Sequence, residues 1–91
     1  MKLSFETLDK LKASGRYKTE ERGDDVTLIY YPPSIEEASG VSAEVVRTME
    51  VSLKKVNGEY QVLGGKIKEN GQEVREISLE ELELWIQFLE G

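Results

Sequence analysis

The sequence predicts an α+β fold: an antiparallel meander of four to five strands, with a short N-terminal helix and a longer C-terminal helix packed on one face. Three observations carry this expectation. Asn57-Gly58 stands between two alternating apolar runs, the strongest short-range signal for a hairpin. Serine-initiated amphipathic stretches begin at Ser4 and at Ser78, as N-capped helices do. The length of 91 residues suits one domain over 1–91 and one modest core.

Taken in order, Ser4 caps a helix whose Phe5, Leu8 and Leu11 share a face. Glu6 lies in its first turn and Lys10 and Lys12 in its last, each complementing the helix dipole. Gly15 ends it. A weakly alternating stretch with Tyr17 and Thr19 leads to the turn signal Gly23-Asp24-Asp25, then to Val26-Thr27-Leu28-Ile29-Tyr30-Tyr31. β-branched and aromatic enrichment on the far side of that turn predicts a hairpin. Pro32-Pro33 stops the second strand, because proline has no N–H for the ladder. Ser34 and Glu37 form a capping-box pattern that closes at Gly40, so one helical turn is expected within 34–40.

Residues 44–56 fit two periods. Val45, Val46, Met49, Leu53 and Val56 lie on one helical face, whereas Val45, Met49, Val51 and Leu53 lie on one strand face. The Asn57-Gly58 turn that follows decides for a strand. A two-residue turn sets Lys55 opposite Tyr60, Leu53 opposite Val62 and Val51 opposite Gly64. Beyond Val62 the parity fails for Ile67, so a bulge at Gly64-Gly65 is expected to return it to the core. Asn70-Gly71 marks another turn, with a short strand over 73–77. Ser78-Leu79-Glu80-Glu81 opens the last helix, which runs to about Glu90.

The chemistry available is narrow. There is no Cys and no His, which removes disulfides, Cys/His zinc sites and triads built on an imidazole or thiolate. Neither a cofactor nor a metal is expected: Gly64-Gly65-Lys66 lacks the phosphate-loop spacing, and Asp24-Asp25 lacks that of a calcium loop. Carboxylates are abundant, with Glu alone at 15. Acid–base catalysis by a carboxylate pair needs a cleft that a sheet of this size offers little of, so a non-enzymatic role is expected. Charged N-terminal residues and the lack of a long apolar run predict a cytoplasmic protein without a signal peptide or membrane span. Glutamate enrichment with few Asn, Gln and Met also follows the compositional direction of thermophile proteins.

The net charge of −6 is unevenly distributed. Residues 1–22 carry +2, 23–50 carry −5, 51–68 carry +3 and 69–91 carry −6. Overall this repels a phosphate backbone. Lys54, Lys55, Lys66 and Lys68 are the candidate basic patch, and a nucleic-acid contact through the 54–68 hairpin is one reading of it. Lysines that guard sheet faces and edges against aggregation are the other.

Two apolar features point to partners. On the last helix, Leu79, Leu82, Trp85, Ile86 and Leu89 fall within a ~120° stripe suited to covering the sheet. Leu84 and Phe88 lie away from that stripe at i, i+4. Either the N-terminal helix covers them through Phe5, Leu8 and Leu11, or they form an interface with a protein partner or a second copy. Tyr30-Tyr31-Pro32-Pro33 is either a contact patch or a strand end with one ring in the core. The leading functional expectation is a small acidic, non-catalytic protein-binding module: an adaptor, inhibitor or homo-oligomer. A rival is an acidic nucleic-acid mimic of the phage or virus kind, seated in the cationic groove of a nucleic-acid-binding enzyme.

Overall fold

A computed structural model describes residues 1–31 and 46–90. The elements are β1 (Lys2–Ser4), α1 (Phe5–Ala13), β2 (Tyr17–Arg22), β3 (Asp25–Tyr30), β4 (Arg47–Val56), β5 (Glu59–Glu69), β6 (Gln72–Ile77) and α2 (Leu79–Glu90). The helical turn expected within 34–40 and the Pro32-Pro33 stop lie outside the described residues.

The architecture is the α+β arrangement that the sequence predicts, with all described strand pairs antiparallel. The strand order is β1-β5-β4-β3-β2, and β6 also pairs with β5. Among the described residues the sheet therefore has six strands rather than the four or five expected. The added strand, β1, is only three residues long, too short for alternation to reveal. It pairs with Glu59 to Gln61, while β6 takes Gly65 to Glu69 on the same edge of β5. One long strand thus serves two short ones in succession.

Residues 47–56 are a strand, as the Asn57-Gly58 turn implied. Both residues of that turn have positive φ, 49° and 80°, and Asn70-Gly71 repeats the geometry at 52° and 82°. This is the I′ conformation whose twist matches that of the flanking strands. The expected partners Lys55/Tyr60 and Leu53/Val62 are present, but Val51 stands opposite Gly65 rather than Gly64, because a bulge intervenes. The expected bulge is present too, but one residue earlier. Ser52 pairs with Gly64 and Leu53 with Val62, leaving Leu63 as the extra residue. Gly64 and Gly65 are themselves paired, and Ile67 returns to the core side opposite Met49. A second irregularity leaves Val74 unpaired between Arg75 and Glu73.

The core lies between the sheet and both helices. Leu3, Val26, Leu28, Val51, Leu53, Tyr60, Val62 and Ile77 come from strands, and Leu8, Leu11, Leu82 and Ile86 from helices. Gly65 stands in the core-facing row between Val51 and Ile77. A Cβ at Gly65 would lie 3.1 Å from Leu82 Cδ2, 3.2 Å from Ile77 Cδ1 and 3.3 Å from the Glu50 carbonyl oxygen. The missing side chain is therefore the socket for Leu82, whose exposure is 0%. Gly64, its neighbour on the opposite face, would meet nothing within 4 Å.

The two adjacent glycines consequently differ in their tolerance of alanine. Gly65→Ala overfills the helix–sheet contact and is expected to cost about 1–3 kcal/mol. Gly64→Ala is expected to stay within about 0.5 kcal/mol of the original chain. Urea unfolding of the two variants measures the difference directly.

Candidate functional site

α2 separates a buried stripe from an exposed one. Leu82 and Ile86 are buried and Trp85 and Leu89 are partly so, all packed on the core. Leu79, expected in this stripe, is 63% exposed. It occupies the first position of the helix. Leu84 and Phe88 are 68% and 83% exposed, more than any other large apolar residue described. α1 does not cover them. Leu8 and Leu11 enter the core instead, and the Phe5 ring packs on Tyr60 with centroids 4.7 Å apart.

The helix that carries the pair is fixed at both ends. At its start, the Glu81 N–H donates to Ser78 Oγ at 3.2 Å, an N-cap contact, and the Arg75 guanidinium meets the Glu81 carboxylate at 3.4 Å. At its finish, Glu90 Oε1 accepts from the Ser4 N–H at 2.8 Å. Ser4 is itself the N-cap of α1, its Oγ accepting from the Thr7 N–H at 3.1 Å. A carboxylate at a helix N-terminus also satisfies the positive end of the dipole. The last turn of α2 is thus held against the first turn of α1. The outer face of α2 carries Glu80, Glu81 and Gln87 around Leu84 and Phe88, and α2 has no Lys or Arg.

Tyr30 and Tyr31 part company. Tyr30 is partly buried and stacks on Tyr17 at 4.7 Å, and Tyr17 in turn faces Trp85 at 6.4 Å. Tyr31 is exposed, its N–H continuing the ladder to the Arg16 carbonyl at 2.9 Å. One tyrosine therefore belongs to the packing of α2 on the sheet edge, and the other faces solvent. Burial raises the Tyr17 pKa, the nearby Tyr30 adds to the rise, and a hydrogen bond from the Trp85 indole opposes it. Tyr60 is also raised by burial, with Lys55 opposing.

The four lysines do not form one cationic surface. Lys54 and Lys55 are consecutive in a strand and point to opposite faces. Lys55 meets Glu21 at 3.6 Å on the helix side. Lys66 and Lys68 share the open face, where Lys68 bonds Glu50 at 2.8 Å and Lys66 lies 3.9 Å from Glu73. The Glu50 hydrogen bond raises the Lys68 pKa. Lys54 is exposed, flanked by Asp25 and Gln61 on the neighbouring strands. Matched charges of this kind leave little field to attract a phosphate backbone.

The open face also bears a cleft of about 670 Å³ where β5 passes from β1 to β6. Gly64 forms its bare floor, Leu63 and Leu79 are its apolar walls, and Glu50, Lys66, Glu73 and Glu76 supply its charges. Sequence reasoning missed it. The bulge that exposes Leu63 was its only trace in the sequence.

The chain matches no protein-family model, no curated protein and no solved structure. Its function is therefore argued from its own surface. Among the described residues no helix is long and apolar enough to cross a membrane, and no group of three or more acidic side chains has metal-site geometry.

The tyrosines make a pH prediction. An unfolded tyrosine ionises near 10.0, and the folded pKa of Tyr17 and Tyr60 is higher. Their contribution to stability is complete below pH 10 and is lost as pH rises through the raised folded values. Urea midpoints are expected to hold steady from pH 7 to 9 and to fall above 10, and Tyr17→Phe to shallow that fall.

Proposed function

We propose that this chain is a small, acidic, non-catalytic protein-binding module of the cytoplasm, acting as an adaptor or inhibitor through the outer face of α2. The observation that carries this reading is the exposure of Leu84 and Phe88 on a helix whose opposite face already fills the core. Such a pair costs solubility and contributes nothing to the core beneath it. Paired exposed apolar groups rimmed by polar ones mark interaction surfaces. An i, i+4 pair also presents a contiguous ridge rather than two isolated side chains. The clamps at Ser78 and Glu90 hold that ridge in place before any partner arrives, which lowers the ordering cost of association.

The nucleic-acid mimic rests on charge alone and needs no apolar ridge. The two readings therefore diverge with salt and with mutation. Contacts between exposed charges fade at ~1 M NaCl, where the Debye length is ~3 Å, whereas an apolar contact persists.

The double variant Leu84→Ser with Phe88→Ser is expected to keep the circular dichroism spectrum and to lose no more than about 1 kcal/mol of stability, as exposed helix positions do. It is expected to lose every partner that the original chain captures from lysate at high salt. Capture that is salt-sensitive and indifferent to the two serines would replace this reading with the mimic. An unfolded double variant would show that the pair belongs to the core.

A further inference from the structure

We infer that the partner of α2 is a basic amphipathic helix of another protein, with an apolar seam seated on Leu84 and Phe88 and lysine or arginine residues alongside it. This inference rests on the protein-binding reading and adds the chemistry of the occupant. Seen end-on, Leu84 and Phe88 form the middle of the outer face, with Glu80 and Gln87 on one flank and Glu81 on the other. This is the arrangement of a two-helix seam, in which apolar residues meet centrally and flanking charges select the partner.

The charges on α2 exclude alternatives. The helix carries Glu80, Glu81, Glu83 and Glu90 and no basic residue. Glu81 is matched by Arg75, and Glu90 is occupied at Ser4. Glu80 and Glu83 have no cationic partner among the described residues. A second copy laid on this face, parallel or antiparallel, brings two helices of the same negative sign together. Like-charge contacts disfavour that pairing in either direction. An acidic or neutral helix leaves Glu80, on the flank of the ridge, without a match. A basic helix matches Glu80 while its apolar side covers the ridge, and Glu83, about 100° round the helix from Leu84, adds only to the negative field of α2. The four-residue repeat of a basic helix also fits the i, i+4 spacing of Leu84 and Phe88.

The test uses the full chain and two synthetic helical peptides that share Leu and Phe anchors at i, i+4. One carries lysines beside the anchors and the other carries glutamates. Fluorescence anisotropy of each labelled peptide is read against the original chain, the Leu84→Ser/Phe88→Ser variant and a Glu80→Gln/Glu83→Gln variant. Sedimentation reports the oligomeric state, and the Trp85 emission reports the fold. The lysine peptide is expected to bind the original chain at least about tenfold more tightly than the glutamate peptide. The serine variant is expected to abolish binding. The glutamine variant is expected to weaken it several-fold and to reduce its salt dependence.

Equal binding of both peptides, lost in the serine variant, would overturn the basic partner and leave the protein-binding reading standing. Equal binding of the lysine peptide to the original and serine chains would overturn the apolar seam and favour a purely electrostatic surface. A dimer that depends on Leu84 and Phe88 and excludes both peptides would make the occupant a second copy. A monomer that binds neither peptide would overturn the inference outright.

Discussion

The contact of Leu82 with Gly65 is the point on which the placement of α2 depends. Leu82 occupies the volume that a side chain at Gly65 would claim, with Ile77 on one side and the Glu50 carbonyl close by. Such contact requires Gly65 to face the helix, and its parity is set two residues upstream. Leu63 is the bulge that shifts β5 by one position, so that Gly65 and Ile67 fall on the core side. Without that extra residue, the period of two would turn Gly65 outward and Gly64 inward. Leu82 would then meet the wrong row of the sheet. A backbone irregularity in a strand thus determines where a helix rests.

With Leu82 seated, the remainder of α2 follows from its own period. Ile86 lies one turn on and enters the core, and Trp85 reaches the Tyr17–Tyr30 stack at the far side. The Glu90 carboxylate meets the Ser4 N–H, joining the last helical turn to the point where β1 hands over to α1. β1 is short, and its pairing with β5 is reinforced by the Met1 carbonyl accepting from the Val62 N–H at 2.9 Å. The same geometry turns Leu84 and Phe88 away from every described element. Their exposure is a consequence of how the buried stripe is fixed, since no rotation of α2 covers them without withdrawing Leu82.

Much of this was legible in the sequence because it is written in short-range chemistry. Asn57-Gly58 and Asn70-Gly71 announce their turns, and Ser4 and Ser78 announce their helices. The alternation of Val51 and Leu53 with Ser52 and Lys54 announces one buried face. What was hidden depends on long-range pairing. β1 has three residues and earns its strand only from its partner on β5. The position of the bulge at Leu63 rather than at the glycines belongs to the pairing of β5 with β4, which no local residue type announces. Leu79 satisfies the helical stripe by angle, yet at the first position of α2 it stays mostly exposed. The candidate ridge was visible by angle alone. Whether α1 covered it was not, because the Phe5, Leu8 and Leu11 face suits either destination.

The same long-range placement changes the meaning of the charge. In sequence, residues 51–68 stand out as basic, and 69–91 as acidic. In the fold, three of the four lysines of the basic segment meet carboxylates of other strands, and Lys54 has none in contact among the described residues. The acidic segment is treated differently. Gln72 to Ile77 lends Glu73 to Lys66 and Arg75 to Glu81, but among the described residues nothing compensates Glu80 and Glu83. Pairing across strands is symmetrical and removes field from the sheet, whereas on the far side of α2 none of the described elements supplies cations. An uncompensated charge beside an exposed apolar ridge is therefore where selectivity can arise. On the proposed reading, the ridge would supply affinity that tolerates salt, and Glu80 beside it would favour a cationic partner.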